Sequence, residues 1–404
     1  MKNLLVGQSG GPTSVINASL AGVIENGIKS AQIGEVLGTV NGIDGVLGDN
    51  IISLSHFGEK NIRLLKQTPS SYLGSCRKKL PDCGEDADTY EKIFSVFEKH
   101  NIGYFFYIGG NDSMDTVKKL SGYAKIKDID IKIIGVPKTI DNDLFLTDHT
   151  PGFGSAAKFI VNAIRQLALD TDVYDMKSAV VLEIMGRNAG WLTAAAALAN
   201  SDGFRPVDII CMPEAVFDRE KFLEKVRDVI SKKNTTVIAV SEGIRGADGK
   251  YLAESESTRS EADGFSHAAL GGAGRIVEKI ISTELKIKTR SIELSTLQRC
   301  FSIAGSEADI REAFLSGYEA VEMAKRGLTA VMAGFRRVSD MPYKIEICPF
   351  DINEVANYEK KMPQSMIAGD GMHVTEEFIK YASPLIAGEM PIVYKDGLVQ
   401  FEVR

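Results

Sequence analysis

The chain alternates short apolar runs with longer amphipathic stretches along most of its length. Short apolar runs are typical of buried strands, and apolar residues at helical spacing are typical of helices. Strands are predicted at residues 3–6, 35–40, 103–108, 131–136, 179–184, 207–211 and 237–240. Helices are predicted at residues 13–29, 112–125, 155–172, 191–200, 219–232, 271–285 and 307–326. This alternation predicts an α/β fold with mainly parallel sheets, in which ligands bind at the carboxyl ends of strands.

The length of the chain predicts more than one domain. A chain of 404 residues is too long for one ordinary hydrophobic core, so we expect two domains. Near the end, residues 392–401 carry the pair Asp396-Gly397 between short apolar runs. That pattern predicts a β-hairpin, which we interpret as a small structural addition.

The charge and the cysteine content exclude several classes of protein. The net charge is −7 at pH 7, and basic residues form only short runs such as Arg77-Lys78-Lys79 and Lys360-Lys361, so nucleic-acid binding is not expected. The 5 cysteines include no CxxC pair and lie near no His-rich cluster, so we expect reduced thiols and no zinc site. No apolar stretch reaches the ~18–20 residues of a membrane span. The protein is therefore predicted to be cytoplasmic and not to bind membranes.

Several predicted strands run into turns that carry groups suited to phosphate or Mg²⁺. The first strand runs into Gly10-Gly11, which forms either a tight turn or a backbone cradle for a phosphate. The strand at 103–108 precedes Gly109-Gly110-Asn111-Asp112-Ser113, where Asp112 either caps the next helix or binds a cation. The strand at 131–136 precedes Pro137-Lys138-Thr139-Ile140-Asp141-Asn142-Asp143, which is either a solvated polar loop or a source of a base, a metal ligand and a cation. Because phosphoryl transfer needs little beyond positioning and charge neutralisation, this convergence points to a phosphotransferase.

A second set of residues is suited to the acceptor of the phosphoryl group. The strand at 179–184 ends in Met185-Gly186-Arg187, and the strand at 237–240 ends in Ser241-Glu242-Gly243. Arginine binds phosphate by a bidentate fork, and glutamate accepts hydrogen bonds from sugar hydroxyls. Arg290 and Arg299 are further candidates, and a solvated surface charge is the alternative for each lone arginine.

Together these residues resemble the phosphofructokinase family. The resemblance covers about residues 3–300 and continues at 316–321, and its most specific combination is residues 137–143 followed by Met185-Gly186-Arg187. It implies two Rossmann-like three-layer lobes with mainly parallel sheets and a small C-terminal extension. The diphosphate-binding lobe would contain residues 1–152 and 298–348. The lobe that binds fructose 6-phosphate would contain residues 153–297 and 349–404, including the extension.

The resemblance also separates two phosphoryl donors. ATP-using members of the family place glycine where Asp112 and Lys138 stand, whereas diphosphate-using members place aspartate and lysine there. The carboxylate of Asp112 would occupy the space of the α-phosphate of ATP and repel it, because like charges at close range are costly. Lys138 would neutralise charge on the diphosphate. We therefore expect diphosphate, and not ATP, to be the donor.

The resemblance implies a role for each candidate site residue. Asp141 would accept the proton of the 1-hydroxyl of the sugar, and the further catalytic residues would be Lys138, Asp112, Thr139 and Arg187. Diphosphate would contact Gly11, Arg77, Gly110, Asp112 and Lys138, and Mg²⁺ would be held by Asn111, Asp112 and Asp143. Fructose 6-phosphate would contact Thr139, Asp141, Met185, Gly186, Arg187, Glu242, Arg299, Tyr358 and Lys361. Arg290 would reach the sugar phosphate of a neighbouring subunit.

Two alternative activities stay open. One is an ATP-dependent phosphofructokinase, which Asp112 and Lys138 disfavour. The other is a non-catalytic subunit that senses sugar phosphate, which would have lost the base or the lysine that this sequence retains. Family members are homo-oligomers, so we expect a homodimer or a homotetramer. The sequence departs from the family pattern at Asn111, Thr296 and Cys300, where aspartate, histidine and glycine are usual.

Overall fold

The computed structural model describes residues 1–255 and 272–404. In chain order the strands are β1 (Lys2–Gln8), β2 (Ile33–Thr39), β3 (Ile51–Ser53), β4 (Ile102–Gly109), β5 (Lys132–Pro137), β6 (Ser178–Ile184), β7 (Val207–Cys211), β8 (Thr235–Ser241), β9 (Lys288–Glu293), β10 (Val331–Asp340), β11 (Tyr343–Asp351), β12 (Tyr394–Lys395) and β13 (Leu398–Val399). The α-helices are α1 (Ile16–Lys29), α2 (Gly42–Leu47), α3 (Glu59–Gln67), α4 (Ala87–Lys99), α5 (Asn111–Ile126), α6 (Phe153–Thr171), α7 (Trp191–Ala194), α8 (Arg219–Lys232), α9 (Ala273–Leu285), α10 (Leu297–Cys300), α11 (Glu307–Lys325), α12 (Ile352–Val355) and α13 (Glu376–Ala382). Short 3-10 helices occur at Ala195–Ala199, Leu252–Ser255, Ser302–Ala304, Gln364–Met366 and Ser383–Ile386.

Every predicted strand and helix overlaps an observed element. The helix predicted at 191–200 is α7 followed by the 3-10 helix Ala195–Ala199. The helix predicted at 271–285 corresponds to α9, and its first residue, Gly271, lies outside the described residues. Strands β3, β9, β10 and β11 were not predicted.

The chain divides into two units with separate sheets. Unit 1 comprises Met1–Ser155, Arg299–Lys360 and Gly388–Arg404, and unit 2 comprises Ala156–Gln298 and Lys361–Ala387. The chain passes from unit 1 to unit 2 after Ser155 and returns after Gln298, close to the predicted boundaries at 152 and 297. The division differs from the predicted one in the C-terminal part, where residues 349–360 and 388–404 belong to unit 1. Strand β11 pairs antiparallel with β10 along its length, which holds residues up to Asp351 in the sheet of unit 1.

Unit 1 is built on a seven-stranded sheet in the order β11-β10-β5-β4-β1-β2-β3. The inner strands are parallel, and β3 and β11 pair antiparallel at the two edges. Alternate residues of β4 enter different cores: Phe105 packs in one cluster and Phe106 in another. Because helices cover both faces, the strand is apolar at consecutive positions, as parallel sheets require.

Unit 2 contains a four-stranded parallel sheet in the order β7-β8-β6-β9. Val181 of β6 packs with Phe222 of α8 and Val277 of α9, while Val180 and Leu182, on the opposite face, are also buried. Ile184 pairs with Ser241, so the carboxyl ends of β6 and β8 lie side by side. The turns that follow these two strands are therefore neighbours.

The predicted C-terminal hairpin is confirmed. Strands β12 and β13 pair antiparallel, and the turn between them places Asp396 and Gly397 in the left-handed region, with φ of 52° and 80°. The side chain of Gln67 donates to the carbonyl of Val393 and accepts from its amide, at 3.2 and 3.0 Å. These bonds hold the hairpin to α3 of unit 1. Over residues 1–255 and 272–404, none of the helices has the length and apolarity needed to cross a membrane.

Candidate active site

The structure brings the three predicted phosphate turns of unit 1 together. They follow β1, β4 and β5, which are neighbours in the sheet. The hydrogen bonding continues past the strand ends, because the amide of Ser9 donates to Ile108 and the amide of Lys138 donates to Gly109, each at 2.9 Å. In a parallel sheet this edge is where ligands bind.

The Gly10-Gly11 turn is surrounded by cationic side chains. Gly10 has a φ of 75° and its amide donates to the carbonyl of Cys76 at 3.1 Å, so the segment that carries Arg77 lies against the turn. The ammonium of Lys138 donates to the carbonyl of Gly11 at 2.5 Å. A Cβ at Gly11 would lie 3.2 Å from Nη1 of Arg299. The turn therefore lies next to several cationic side chains, which is an arrangement suited to an anion.

Lys138 is the buried member of this cationic group, with a side chain 2% exposed. Burial lowers its pKa to about 8, because water no longer solvates the ammonium. The positive charges of Arg299 and Arg77 lower this pKa further, whereas the carboxylates of Asp141 and Asp143 oppose the shift. A bound anion would restore the charged form, so the electrostatics of the turn favour a phosphate.

The two carboxylates that follow Lys138 occupy contrasting surroundings. The hydroxyl of Thr139 accepts a hydrogen bond from the amide of Asp141 at 3.1 Å, which holds the start of the loop. Burial of its carboxyl raises the pKa of Asp143 to about 7, and the negative charges of Asp141 and Glu359 add to the shift. A cation or a proton beside Asp143 would relieve this repulsion.

Of the two roles considered for Asp112, helix capping or cation binding, the structure excludes helix capping. The N-cap of α5 is Gly110, and Asp112 lies within the first turn, where its carboxylate pairs with the ammonium of Lys79 at 2.9 Å. The amide side chain of Asn111 donates to the carbonyl of Tyr358 and accepts from the amide of Asn357, both at 2.8 Å. Asn111 therefore anchors the segment around Tyr358 to the start of α5.

The acceptor residues of unit 2 are held by hydrogen bonds between two neighbouring turns. The hydroxyl of Ser241 donates to the carbonyl of Gly186 at 2.5 Å, and the carboxylate of Glu242 accepts from the amide of Gly186 at 3.3 Å. The amide of Met185 donates to the side chain of Gln298 at 3.1 Å. Gly186 has a φ of 142°, which a residue with a side chain rarely adopts. Met185, Gly186, Arg187 and Glu242 are thus brought together, as predicted.

Arg290 lies apart from that group. It stands in the middle of β9, opposite Val180 in the first half of β6, whereas Arg187 follows the end of β6. Arg290 lines a cleft of about 200 Å³ together with Tyr174 and Lys288. Within unit 2, Arg290 is therefore separated along the sheet from the turn that carries Arg187.

The remaining predicted contacts fall in different units. Tyr358 belongs to unit 1, where its exposed ring lies 5.8 Å from the ring of Phe145. Lys361 belongs to unit 2. Burial raises the pKa of the neighbouring Glu214, and the positive charge of Lys361 partly opposes that rise. Arg299 belongs to unit 1 and lies beside Gly11 and Lys138.

Two lysines at the site were not predicted. Lys79 pairs with Asp112, and Lys360 donates to the side chain of Asn142 and to the carbonyls of Thr147 and Asp148. Burial lowers the pKa of Lys360 to about 7. Both residues belong to the short basic runs in the sequence, and Lys360 also lies between the predicted contacts Tyr358 and Lys361; these were the signals that could have identified them.

The metal-binding capacity of unit 1 rests on few carboxylates. Among residues 1–255 and 272–404, no group of three or more His, Cys, Asp or Glu side chains could hold a metal ion by itself. Asp143 and Asp112 are the acidic residues available at the three turns, besides Asp141. Mg²⁺ is commonly held by one or two carboxylates together with the phosphate oxygens of a substrate. The described residues fit that arrangement.

Known proteins resemble this chain over nearly its whole length. It is 41% identical over 403 residues to a protein of Methylococcus capsulatus and 42% identical over 402 residues to one of Xanthomonas campestris pv. campestris, and each alignment covers 99% of this chain and 95% of the relative. Both relatives are named pyrophosphate–fructose 6-phosphate 1-phosphotransferase. The crystal structure of a pyrophosphate-dependent phosphofructokinase from Nitrosospira multiformis matches with a TM-score of 0.90 and 38% identity, covering 99% of this chain and 95% of that one.

The family assignment rests on the first four-fifths of the chain. Residues 3–324 match the family model described as Phosphofructokinase, and this range contains the predicted phosphate turns of unit 1 and the predicted acceptor turns of unit 2. The identities with the full-length relatives extend the match to the C-terminal hairpin. The chain belongs to the phosphofructokinase family.

Proposed function

We propose that this enzyme reversibly transfers a phosphoryl group from inorganic diphosphate to the 1-hydroxyl of fructose 6-phosphate, giving fructose 1,6-bisphosphate and phosphate. The observation that carries the proposal is a pair of side chains that follow the neighbouring strands β4 and β5: Asp112, which pairs with Lys79, and the buried Lys138, whose ammonium donates to Gly11. The names of the relatives that match over nearly the full chain support the same donor and acceptor.

The proposed choice of donor follows from charge and space at the turns. Asp112 stands in the first turn of α5, where a nucleotide would place its α-phosphate, and two negative groups there would repel each other. Lys138, Arg77 and Arg299 supply positive charge beside Gly11, which favours a compact, highly charged anion. Diphosphate meets both conditions.

The proposed chemistry uses Asp141 as the base. Its carboxylate would take the proton of the 1-hydroxyl while that oxygen bonds to the nearer phosphorus, and the bond from this phosphorus to the bridging oxygen of diphosphate would break. Lys138 and Arg77 would neutralise the charge that develops on the departing phosphate. In the reverse direction, protonated Asp141 would return the proton to the 1-oxygen.

Mg²⁺ is the proposed cofactor of the donor. Asp143 and Asp112 would hold it with the phosphate oxygens, and the pKa of Asp143, raised by burial and by neighbouring carboxylates, fits a group that a cation would stabilise. When bound, Mg²⁺ would offset the negative charge of the diphosphate and of the transferring group. Asn111 is a weaker candidate ligand, because its amide already bonds to the backbone of Asn357 and Tyr358.

Fructose 6-phosphate is proposed to contact the acceptor turns of unit 2. Sugar hydroxyls would be bound by the backbone of Met185 and Gly186 and by the carboxylate of Glu242. The guanidinium of Arg187 would bind negatively charged oxygens near the reacting phosphoryl group. Tyr358 and Lys361 remain proposed contacts of the sugar phosphate. Arg299 would bind a phosphate group from its place beside Gly11.

A homo-oligomer is proposed from one surface of unit 2. The residues between α6 and β6 expose large apolar side chains, with Val173 65% and Tyr174 60% exposed, next to the cleft that contains Arg290. A second copy of the chain would cover this surface and receive Arg290 in its sugar site. A homodimer is the simplest assembly that does so, and a homotetramer would contain the same contact.

A comparison of donors tests the proposed function. With fructose 6-phosphate and Mg²⁺, we expect turnover with diphosphate and none with ATP. Turnover with ATP alone would refute the donor assignment and leave an ATP-dependent phosphofructokinase. Binding of fructose 6-phosphate without turnover with either donor would leave a non-catalytic sensor.

The double variant Asp112→Gly with Lys138→Gly tests the physical argument for the donor. Removing the ammonium should lower kcat/KM for diphosphate about 100-fold, because a charge aimed at the departing phosphate is lost. Removing the carboxylate should allow ATP to bind, which calorimetry would measure. Asp130→Gly with Lys132→Gly, an exposed pair 2.8 Å apart at the opposite end of β5, is the control. No gain in nucleotide affinity would contradict the argument.

A further inference from the structure

Lys360 lies against the loop that carries Asp141 and Asp143. Its half-buried side chain reaches under residues 142–148, and its ammonium donates to Oδ1 of Asn142 at 3.2 Å and to the carbonyls of Thr147 and Asp148 at 3.2 and 2.8 Å. An ammonium has three N–H donors and the loop supplies an acceptor for each. The side chain thus joins both ends of this part of the loop.

The backbone of the same segment adds further contacts. The amide of Lys360 donates to the carbonyl of Asp143 at 2.7 Å, and Leu144 and Glu359 form an antiparallel bridge. These main-chain bonds place Lys360 but do not depend on its side chain. A substitution at 360 can therefore remove the ammonium while the backbone pairing stays.

The loop needs such support because its backbone is unfavourable. Asn142 and Leu146 have φ of 56° and 64°, in the left-handed region. Asparagine tolerates that conformation, but a bulky leucine rarely adopts it, and each such residue costs of order 1–3 kcal/mol unless its surroundings hold it. Lys360 bonds to the loop on both sides of Leu146.

The far end of the loop is fixed independently of Lys360. The carboxylate of Asp148 accepts from Arg337 of β10 at 3.0 Å and from the ring of His149 at 2.8 Å, and the other ring nitrogen of His149 bonds to Glu312 of α11. Asp148 is thus attached to a strand and, through His149, to a helix of unit 1. Lys360 connects Asn142, next to Asp141, to this rigid anchor.

We propose that Lys360 is a positioning residue that holds the 141–148 loop, and with it Asp141 and Asp143, in the geometry that phosphoryl transfer requires. The inference rests on the proposed function for the roles of the two carboxylates. Lys360 acts through the loop and does not touch the substrates. Its loss should therefore change the rate of the chemical step much more than the binding of either substrate.

Lys360→Met tests the proposal, because methionine preserves most of the side-chain length without the charge. We expect kcat to fall about 100-fold, as for a catalytic group displaced by about 1 Å, with KM for diphosphate and fructose 6-phosphate changed less than about threefold. Lys344→Met, at an exposed lysine of β11, is the control and should match the unmodified enzyme. An unchanged kcat in folded Lys360→Met would overturn the proposal, even if its melting temperature fell.

A second variant covers the case in which Lys360→Met does not fold. Asn142→Gly removes one acceptor of the ammonium, and glycine accepts the left-handed backbone of this position. We expect a fall in kcat of about tenfold without a matching rise in either KM. Asn101→Gly, at another left-handed asparagine with φ of 52°, is the control. Equal kcat values for the two glycine variants would overturn the proposal.

Hydrogen exchange separates failure of this inference from failure of the proposed function. In Lys360→Met, or in Asn142→Gly if the former does not fold, the amides of residues 141–148 should exchange faster, while those of the inner strands stay protected. This measurement requires no donor, so it applies even if the unmodified enzyme turns over neither diphosphate nor ATP. Unchanged exchange in the loop would contradict the positioning role, whatever the donor.

Discussion

At the scale of single residues, the site in unit 1 places charges where the free protein solvates them poorly. Burial lowers the pKa of Lys138 to about 8 and raises the pKa of Asp143 to about 7. In each case the charged form is disfavoured by burial and would be favoured by the proposed ligand, a phosphate for Lys138 and Mg²⁺ for Asp143. The burial of these two charged groups therefore lowers the stability of the free protein, and ligands of opposite charge would offset that cost.

Asp141→Asn tests the proposed base. The amide keeps the shape of the carboxylate but cannot accept the proton of the 1-hydroxyl, so kcat should fall about 10²–10⁴-fold with small changes in either KM. Steady-state assays with diphosphate and fructose 6-phosphate measure both constants. Asp88→Asn, on the exposed start of α4, should behave as the unmodified enzyme. A loss of less than tenfold in Asp141→Asn would remove Asp141 from this role.

We expect the Asp143→Asn variant to be more stable than the unmodified protein, by an amount that depends on pH. The folded protein binds a proton at Asp143 up to about pH 7, whereas the unfolded chain releases it near the ordinary value of 3.8. The free energy of unfolding contributed by this group therefore falls as pH rises from about 4 to 7. The variant lacks this loss, so its advantage should grow over that range, reach on the order of 4 kcal/mol and level off above pH 7.

Chemical denaturation in buffers free of divalent cations measures this advantage at each pH. Asp88→Asn is again the control and should show a difference from the unmodified protein that does not vary with pH. A stability difference for Asp143→Asn that stays constant from pH 4 to 8 would mean that the carboxyl of Asp143 is not poorly solvated in the folded state.

At the scale of elements, helices α1 and α11 approach so closely that glycine is required where they cross. A Cβ at Gly22 would lie 2.0 Å from the carbonyl oxygen of Phe314, and one at Gly317 would lie 2.0 Å from that of Ser19. Both contacts are with backbone, which cannot move aside as a flexible side chain can. The packing of α11 against α1 therefore depends on the absence of these side chains.

Gly22→Ala should lower the free energy of unfolding by about 3 kcal/mol, because the added methyl forces the two helices apart. Gly122→Ala is the matched control, since Gly122 lies on the exposed face of α5 with nothing within 4 Å of its added Cβ. That substitution should raise stability by about 0.5–1 kcal/mol through helix propensity. Equal effects in urea denaturation would contradict the close crossing.

Prediction of elements succeeded where strands are buried on both faces and failed where they are not. The apolar run of β4 was recognised because helices cover both of its faces. Strand β9 lies at an edge of its sheet, and in β10 and β11 polar residues alternate with apolar ones over exposed halves. Such strands are stabilised by hydrogen bonding to the adjacent strand, and the local sequence does not reveal that pairing.

At the scale of the whole molecule, the proposed homo-oligomer predicts that two chains share each sugar site. Asp141→Asn should be inactive through loss of the base, and Arg290→Ala should bind fructose 6-phosphate poorly. In a mixed dimer, one of the two sites would combine an intact Asp141 with an intact Arg290. Mixing the unfolded variants and refolding them together should therefore restore about a quarter of the unmodified activity.

The control for this experiment mixes Asp141→Asn with Asp143→Asn. Both residues belong to the loop of one chain, so no combination of subunits contains an intact site and no activity should return. Failure of the Arg290→Ala mixture to regain activity, while sedimentation shows mixed oligomers, would contradict a shared site.

The amino-acid sequence by itself determined the α/β class, the positions of the buried strands and the groups that follow them. It did so because apolar periodicity and glycine turns are local properties of the chain. Only the tertiary structure decided that Lys79 pairs with Asp112, that Arg299 lies beside Gly11, and that Lys360 supports the loop of Asp141. These contacts join residues far apart in the chain, and no local pattern encodes them. Residues 349–351 lie in unit 1, contrary to expectation, for the same reason, since the pairing of β11 with β10 holds them there.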